Sequence, residues 1–215
     1  MIDLAARENA AWCDLVCRSH GRPGSVDADA WSVPRRSPPG YPDAVTLRPG
    51  VGAGLLGRVD AGPEAAVKDS YADLDLAGHG FQVLFDAQWL HRPPAEAGAA
   101  TLVAVDTAAG LTTWADVHGG GRVFRPALLA EPGVRILGLA DGHGGWVGGA
   151  VLHDVGEVVG VSNVFAAGVS PDEVWAGVCA AGAGRHLVGY EHGTDLAVAQ
   201  DHGFRAAGRL RVWVR

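Results

Sequence analysis

The sequence predicts an α/β (α+β) fold with a mixed central sheet, in which a parallel strand pair is flanked by helices. Three apolar runs between residues 134 and 164 are joined by short glycine-containing turns, and they predict an antiparallel meander. A predicted helix follows the third run, and a fourth apolar run, 186–191, follows that helix. Because strand–helix–strand units in one sheet are almost always right-handed crossovers, the third and fourth runs should be parallel neighbours.

Residues 1–98 predict an α+β extension in front of this core. Apolar residues at helical spacing over Asp3–Ser19 predict an amphipathic helix. The segment 22–41 is rich in Pro, Gly and Ser and predicts an irregular, packed connection anchored by Trp31. The other elements expected here are a strand at Ala44–Leu47, a helix or turn at Pro63–Leu76, a strand at Phe81–Leu90 and a domain boundary within His91–Ala99.

Residues 99–215 carry the clearer pattern. The elements expected there, in chain order, are a strand at 101–106, short helices at 111–117 and 126–130, strands at 134–140, 146–153 and 157–164, a helix from Ser170 to Ala181, a strand at 186–191, a helix at 195–202 and a last strand or hairpin at 204–214. Ser170 followed by Pro171 and Glu173 predicts a capped helix start. Ligands of open α/β sheets favour the carboxyl ends of such strands, so a crevice is expected around Ser162, Asn163, Phe165, Tyr190 and Glu191.

Composition excludes several classes of protein. With 215 residues, of which 48% are hydrophobic, the chain can bury a sizeable core, which excludes disorder as its main state. A net charge of −7 disfavours nucleic acid and anionic membranes as partners. There is no apolar run of membrane-spanning length and no signal-peptide pattern, and the three cysteines have no disulfide-framework spacing. We therefore expect a cytoplasmic protein with free thiols; its oligomeric state is not indicated.

A polar cluster in the first half is a candidate substrate site. Lys68, the only lysine, is followed by Asp69 and Tyr71, and Asp86 and Gln88 share one face of the predicted strand 81–90. Together these groups offer an ammonium, carboxylates, a phenol and an amide to a polar substrate. The alternative is a solvated helix end and an exposed strand face, in which these side chains have no ligand.

A second cluster bears on metal binding. Cys13, Cys17 and His20 share one face of the first predicted helix and would need a fourth ligand to hold zinc. Structural zinc sites usually bring their ligands in two close pairs, so the packed face of a helix is the preferred interpretation. No metal is therefore assigned.

The order of elements after residue 101 resembles the GNAT acyltransferase superfamily. The resemblance is carried by the meander ending VVGVSNVF, the helix after Ser170, the strand LVGYE and the closing DLAVAQDHGFRAAGRLRVWVR. It covers about half of the chain, and residues 1–98 could be a degenerate second copy. The resemblance implies direct acyl transfer from acetyl-CoA or another acyl-CoA to an amine or hydroxyl of a small molecule.

The resemblance also implies roles for particular residues. The cofactor would lie against Val161, Ser162, Asn163, Val164, Phe165 and Gly168. Tyr190 is the first candidate for the acid that protonates the departing thiolate, and Glu191 is the reserve, able to act as a base. Adjacent strand residues point to opposite faces, so at most one of them faces the crevice.

One loop departs from the family's pattern. GNAT members typically carry Arg/Gln-x-x-Gly-x-Gly/Ala before the crossover helix, and the stretch here is AAGVSP. Pro171 has no N–H, and Asp172 and Glu173 place negative charge where a CoA diphosphate would sit. Two hypotheses follow: CoA binds through other groups, such as Arg185 or Arg205, or the fold serves as a binding or accessory protein or an enzyme of another reaction type.

Overall fold

The computed structural model describes residues 1–96, 98–99 and 101–215. The chain forms two compact units, one of Met1–Trp89 with Ala207–Arg215 and one of Leu90–Ala206. Ala97, in the predicted boundary segment, and Ala100 lie outside the described residues. The predicted division at residue 98 stays a prediction. In the described part of the chain, no helix has both the length and the apolar character needed to cross a membrane.

The first unit contains one long helix and a mixed set of strands. Its elements are α1 (Ile2–Ser19), β1 (Ser25–Val26), β2 (Ala30–Ser32), β3 (Ala44–Thr46), β4 (Ala66–Asp69), most of β5 (Gln82–Arg92) and most of the chain's last strand, β11 (Arg205–Val214). The strand order is β1-β2-β3-β4-β11-β5. Strand β4 pairs parallel with β3 and antiparallel with β11. The helix predicted at Asp3–Ser19 is present as α1.

The prediction of a helix or turn at Pro63–Leu76 is wrong for Ala66–Asp69, which form strand β4, whereas turns are present on both sides of this strand. Val67, Lys68 and Asp69 are all buried, since β4 is a central strand with a hydrogen-bonded neighbour on each side. The local sequence contains good helix formers, and the two neighbouring strands override that preference. Trp31, the predicted anchor of the connection 22–41, is fully buried and donates from Nε1 to Asp14 Oδ1 at 3.0 Å.

The second unit has a meander, a crossover and helices. Its elements are β6 (Val103–Ala104), α2 (Ala108–His118), β7 (Val134–Ala140), β8 (Trp146–Asp154), β9 (Val159–Ala166), α3 (Pro171–Ala181), β10 (Leu187–Glu191) and α4 (Gly193–Asp201). The order is β10-β9-β8-β7-β6. All neighbours are antiparallel except β9 and β10, which are parallel. The predicted fold class, a mixed sheet with a parallel pair and flanking helices, is confirmed.

The core of the second unit fixes the parallel pair against the helices. Val159 and Leu187 start the two strands and are almost fully buried. They belong to one apolar cluster with Trp175 of α3 and with Phe204, which follows α4. Trp175 and Phe204 pack edge to face, with ring centroids 5.1 Å apart. Helices α3 and α4 are therefore held at fixed positions relative to the strands that they follow.

Candidate functional site

The parallel strands β9 and β10 pair only at their beginnings. Leu187 pairs with Val159 and Val188 with Gly160, and the register ends there. Next along β10 comes Gly189, where an added Cβ would lie 2.6 Å from the carbonyl oxygen of Val161. Glycine therefore allows the two backbones to approach closely at this point, and the parallel ladder does not continue from there toward the carboxyl ends of the strands. The crevice predicted at this place corresponds to the opening beyond the ladder.

A bulge in β9 contributes to this opening. Ser162 lies opposite Val151 of β8 and Phe165 opposite Gly149, so β9 advances three residues where β8 advances two. Asn163 sits in the bulge with φ +54°, a left-handed conformation that Asn tolerates better than most residues. Its side-chain amide donates to Ser162 Oγ at 3.0 Å. A bulge increases twist and leaves a residue out of the ladder, so it turns β9 away from its regular path.

A cavity of about 260 Å³ lies at the end of the opened strands. Its lining comes from β9, α3, β10 and the first turn of α4, and consists of Val164, Phe165, Ala166, Pro171, Val174, Trp175, Glu191 and Asp195. Six of these eight side chains are apolar, and the two polar ones are carboxyls. The Phe165 ring is held in place by edge-to-face contacts with Trp114 and His118, at centroid distances of 5.1 and 5.2 Å.

Glu191 is the titratable group best suited to chemistry in this cavity. Burial and, to a smaller extent, the negative charge of Asp195 together raise the pKa of its carboxyl to about 8, against an opposing effect of the His192 backbone N–H. A carboxyl with a pKa near physiological pH can both accept and return a proton. Perturbed groups of this kind in a concave site are typical of catalytic residues.

The other sequence-predicted residues of this region lie at several different places. Val164 and Phe165 line the cavity, Val161 is buried in the adjoining core, and Ser162 and Asn163 form the bulge. Gly168 lies in the connection between β9 and α3 with φ +80°. Tyr190 is half-buried and is not among the described residues that line the cavity, in agreement with the alternation of side chains along β10.

The start of α3 does not fit the diphosphate of CoA. Pro171 has no N–H, the Asp172 N–H donates to Ser170 Oγ at 3.3 Å, and the Glu173 N–H donates to Ser170 O at 3.1 Å. The Asp172 carboxylate accepts from Ser170 Oγ at 3.0 Å and lies 3.1 Å from His202 Nε2. These two contacts hold the pKa of Asp172 below its usual value, so the group is charged at neutral pH. The predicted capping of α3 is present, and it uses the amides that an anion would need.

Arg185 is not free to replace those amides. Its two terminal nitrogens donate to the two carboxylate oxygens of Asp154 at 2.6 and 3.0 Å, and one of them also donates to Gly156 O at 2.6 Å. This bidentate pair fixes the guanidinium in the turn between β8 and β9. Arg205, the other cation suggested by the sequence, is exposed at the start of β11.

The predicted substrate cluster of the first unit makes contacts within that unit. The ammonium of Lys68 is buried and donates to Asn9 Oδ1 of α1 at 2.7 Å. Asp69 is fully buried and accepts from the N–H groups of Tyr71 and Leu74, and burial raises its pKa. The predicted alternative of a solvated helix end is therefore wrong for Lys68 and Asp69, which lie inside a strand.

The remaining members of this predicted cluster lie nearer the surface. The Tyr71 hydroxyl donates to Asp3 Oδ1 at 2.7 Å. Asp86 is exposed and accepts two hydrogen bonds from Arg211, at 2.7 and 3.1 Å, which lower its pKa. Gln88 is half-buried two residues further along β5. A substrate role for the five cluster residues stays a prediction.

The cysteines of α1 behave as core thiols. Burial raises the pKa of Cys13 to about 11 and that of Cys17 to about 12. A protonated thiol is a poor metal ligand. Within the described ranges, no group of three or more His, Cys, Asp or Glu side chains is arranged to hold a metal ion. These observations favour the packed helix face over the zinc alternative.

Sequence reasoning missed five residues that line the cavity, one of which, Ala166, ends the bulged strand β9. Pro171, Val174 and Trp175 belong to the helix that follows the bulged strand, and Asp195 to the helix that follows Glu191. The three in α3 are indistinguishable in sequence from an ordinary helix face. One signal in the sequence could have identified Asp195. It is an acidic residue in the first turn of the helix that follows β10, and the carboxyl end of β10 was already assigned to the crevice.

Comparison with known proteins supports the fold, and this support comes from solved structures. No protein-family model and no curated protein matches the chain. A GCN5-related N-acetyltransferase from Kribbella flavida is 16% identical with a TM-score of 0.61, covering 98% of this chain and 95% of that one. A GNAT-family protein from Novosphingobium aromaticivorans DSM 12444 is 13% identical with a TM-score of 0.58, covering 98% of both chains.

A third solved structure is a conserved protein of unknown function from Staphylococcus epidermidis ATCC 12228. It is 9% identical with a TM-score of 0.59, covering 88% of this chain and 92% of that one. At these identities the comparisons show the fold. The resemblance in fold to GNAT-family structures is thereby confirmed, and it extends over nearly the whole chain rather than over the half that the sequence motifs cover.

Proposed function

We propose that this protein is a GNAT-type acyltransferase that moves a short acyl group from a thioester donor to the amine of a small molecule, with Glu191 as the general base. The observation that carries the proposal is the cavity at the separated ends of β9 and β10, with one carboxyl whose pKa lies near 8. The cavity of about 260 Å³ is smaller than the pockets that hold drug-sized ligands, which favours an acyl group such as acetyl.

The two carboxyls of the cavity suit an amine acceptor. An amine reaches the enzyme as an ammonium ion, which is attracted by the charge of Asp195 and by the ionised form of Glu191. The approaching positive charge lowers the pKa of Glu191 and favours its ionised form. The Glu191 carboxylate then removes one proton and leaves a nucleophilic lone pair on nitrogen.

The transfer step is balanced without further reagents. The amine nitrogen attacks the thioester carbonyl carbon, a C–N bond forms and the C–S bond breaks. The leaving sulfur takes up the second proton of the nitrogen and departs as a thiol, and Glu191 returns its proton to water. The donor supplies the activated acyl group, and the chain supplies orientation and the proton acceptor.

The apolar side chains of the lining serve the same chemistry. Phe165, Val174 and Trp175 form an apolar wall, and the last two are almost fully buried. An apolar wall strengthens the interaction of charges beside it. The sequence places Tyr190 ahead of Glu191 as the catalytic group, whereas the lining favours Glu191.

Glu191→Gln tests the proposal. Glutamine keeps the shape of the side chain and cannot take a proton, so we expect kcat to fall by about 10²- to 10⁴-fold. The assay follows thiol release from acetyl thioesters with a panel of primary amines and identifies the acylated product by mass. Glu157→Gln removes the same charge from the exposed β8–β9 turn and should leave kcat unchanged. Activity of Glu191→Gln within twofold of the wild-type rate would refute the assignment of the base.

A second candidate function is favoured by the acidic start of α3. A GNAT fold that lost its diphosphate site could bind a cationic small molecule at Glu191 and Asp195 without transferring an acyl group. Calorimetric titration with primary amines, run beside the product assay, distinguishes the two functions. Heat of amine binding with no acyl product from any thioester would favour the binding protein.

A further inference from the structure

The start of α3 bears on which acyl donor the site accepts. Building on the proposed acyl transfer, we infer that the donor is a thioester without a diphosphate, recognised through an uncharged pantetheine-like arm. An anion at a helix start needs backbone N–H groups that point outward. Of the first three helical positions, Pro171 has none, and the N–H groups of Asp172 and Glu173 both donate to Ser170.

The charges around α3 act in the same direction. Asp172 and Glu173 are exposed in the first turn and would face a bound diphosphate. The Asp172 carboxylate is fixed there by Ser170 Oγ and His202 Nε2. A second pair of carboxyls, Glu191 and Asp195, lines the adjoining cavity. A dianion would meet four acidic groups, whereas an uncharged arm would meet little repulsion.

Three arginines of the second unit make contacts away from the start of α3, and Arg205 is exposed at the start of β11. Arg185 is held by both carboxylate oxygens of Asp154. Arg92 donates from Nε to His202 O at 3.0 Å, and its buried Nη1 has no hydrogen-bond partner among the described residues. Arg135 donates to Ala181 O at the far end of α3. Each of these three would lose an existing contact if it turned toward the start of α3.

The opening between β9 and β10 offers what an uncharged arm needs. The parallel ladder ends after Val188 and Gly160, so the following residues of β9 present a strand edge to the opening between β9 and β10, here called the slot. A strand edge binds amide-containing chains by exchanging N–H and C=O hydrogen bonds, without any charge. The bulge at Asn163 adds backbone groups that are outside the β8–β9 ladder. The structure therefore has a strand edge suited to an uncharged pantetheine-like arm and lacks outward-pointing amides for a diphosphate at the start of α3.

Donor competition tests the inference on the wild-type protein. The ratio of kcat/KM for acetyl-CoA to that for S-acetylpantetheine is measured with one amine at fixed ionic strength. We expect this ratio to be at or below about three, because the nucleotide part gains nothing at α3. A ratio of ten or more in favour of acetyl-CoA would overturn the inference, and it would leave the proposed acyl transfer intact.

A binding measurement separates this inference from the proposed function. Calorimetric titrations with CoA, pantetheine and ADP should give similar dissociation constants for the first two and no heat for the third. CoA binding at least tenfold tighter than pantetheine would overturn the inference whether or not product forms. If pantetheine and CoA bind equally and no donor gives product, the proposed transfer fails while the inferred recognition stands.

A charge-removal variant gives a third readout. Asp172→Asn with Glu173→Gln should raise kcat/KM for acetyl-CoA by about two- to fivefold for each carboxylate removed, with acetylpantetheine unchanged. Glu157→Gln is the matched control and should leave the donor ratio as it is in the wild type. A donor ratio that stays unchanged in the double variant would overturn the inference.

Discussion

Removing the Glu191 carboxyl should stabilise the protein while it abolishes activity. The carboxyl titrates near 4.5 when solvated and at about 8 in the folded protein. Between these values the folded state holds a proton that the unfolded state has released, so the free energy of unfolding falls as pH rises. This fall in the free energy of unfolding begins above pH 4.5 and is complete above pH 8. Glutamine has no such dependence, so Glu191→Gln should match the wild type at pH 4.5 and exceed it at pH 9.

The structure sets the size of this effect. Each tenfold change in proton affinity is worth about 1.4 kcal/mol. The difference between a pKa of 4.5 in the unfolded state and about 8 in the folded state therefore limits the change in the free energy of unfolding to about 5 kcal/mol. Water reaches part of the side chain and screens its charge, and we therefore expect about 1–3 kcal/mol at pH 9.

The assay is urea unfolding of both proteins at pH 5 and pH 9, followed by tryptophan fluorescence. The exposed-site variant Glu157→Gln is the control and should shift stability by less than about 0.5 kcal/mol at both pH values. Equal stability differences between Glu191→Gln and the wild type at the two pH values would refute the reasoning, because a buried carboxyl must release its proton at a cost.

Two further predictions concern the same strands. In the wild type, kcat/KM should rise about tenfold between pH 7 and pH 9, because the Glu191 carboxylate is the active form. Asp195→Asn should move this rise to lower pH, because the charge of Asp195 raises the pKa of Glu191. A flat pH profile of the wild type would contradict Glu191 as the base. Gly189→Ala would place a Cβ 2.6 Å from Val161 O and should cost about 1–3 kcal/mol in urea unfolding, whereas Gly57→Ala, with open space around it, should cost less than about 0.5 kcal/mol.

Connectivity rules made the second unit predictable from sequence. Three strands joined by tight turns have almost no choice but to form a meander, and a crossover helix makes the next strand parallel. The Ser170-Pro171 helix start is a local signal that depends on no distant contact, and α3 begins at Pro171 as expected. The crevice was predicted at the carboxyl ends of these same strands, and two of its five predicted residues, Phe165 and Glu191, line the cavity.

What could not be predicted depends on contacts between distant segments. Strand β4 has the composition of a helix and becomes a strand because β3 and β11 pair with it. The bulge at Asn163 depends on the register between β8 and β9, which one sequence does not encode in a readable form. The raised pKa of Glu191 requires burial and the charge of Asp195, which arrives on the following helix.

The slot and the start of α3 are built by separate parts of the chain, so the inferred recognition of an uncharged arm requires no change in the slot. The slot depends on two backbone features: a glycine at 189 that brings the strands together, and a left-handed residue at 163 that turns β9 away. Neither feature depends on the first turn of α3. A chain can therefore replace outward-pointing amides with Pro171 and a Ser170 cap, gain a more stable helix start, and keep an open strand edge with a titratable carboxyl at its end.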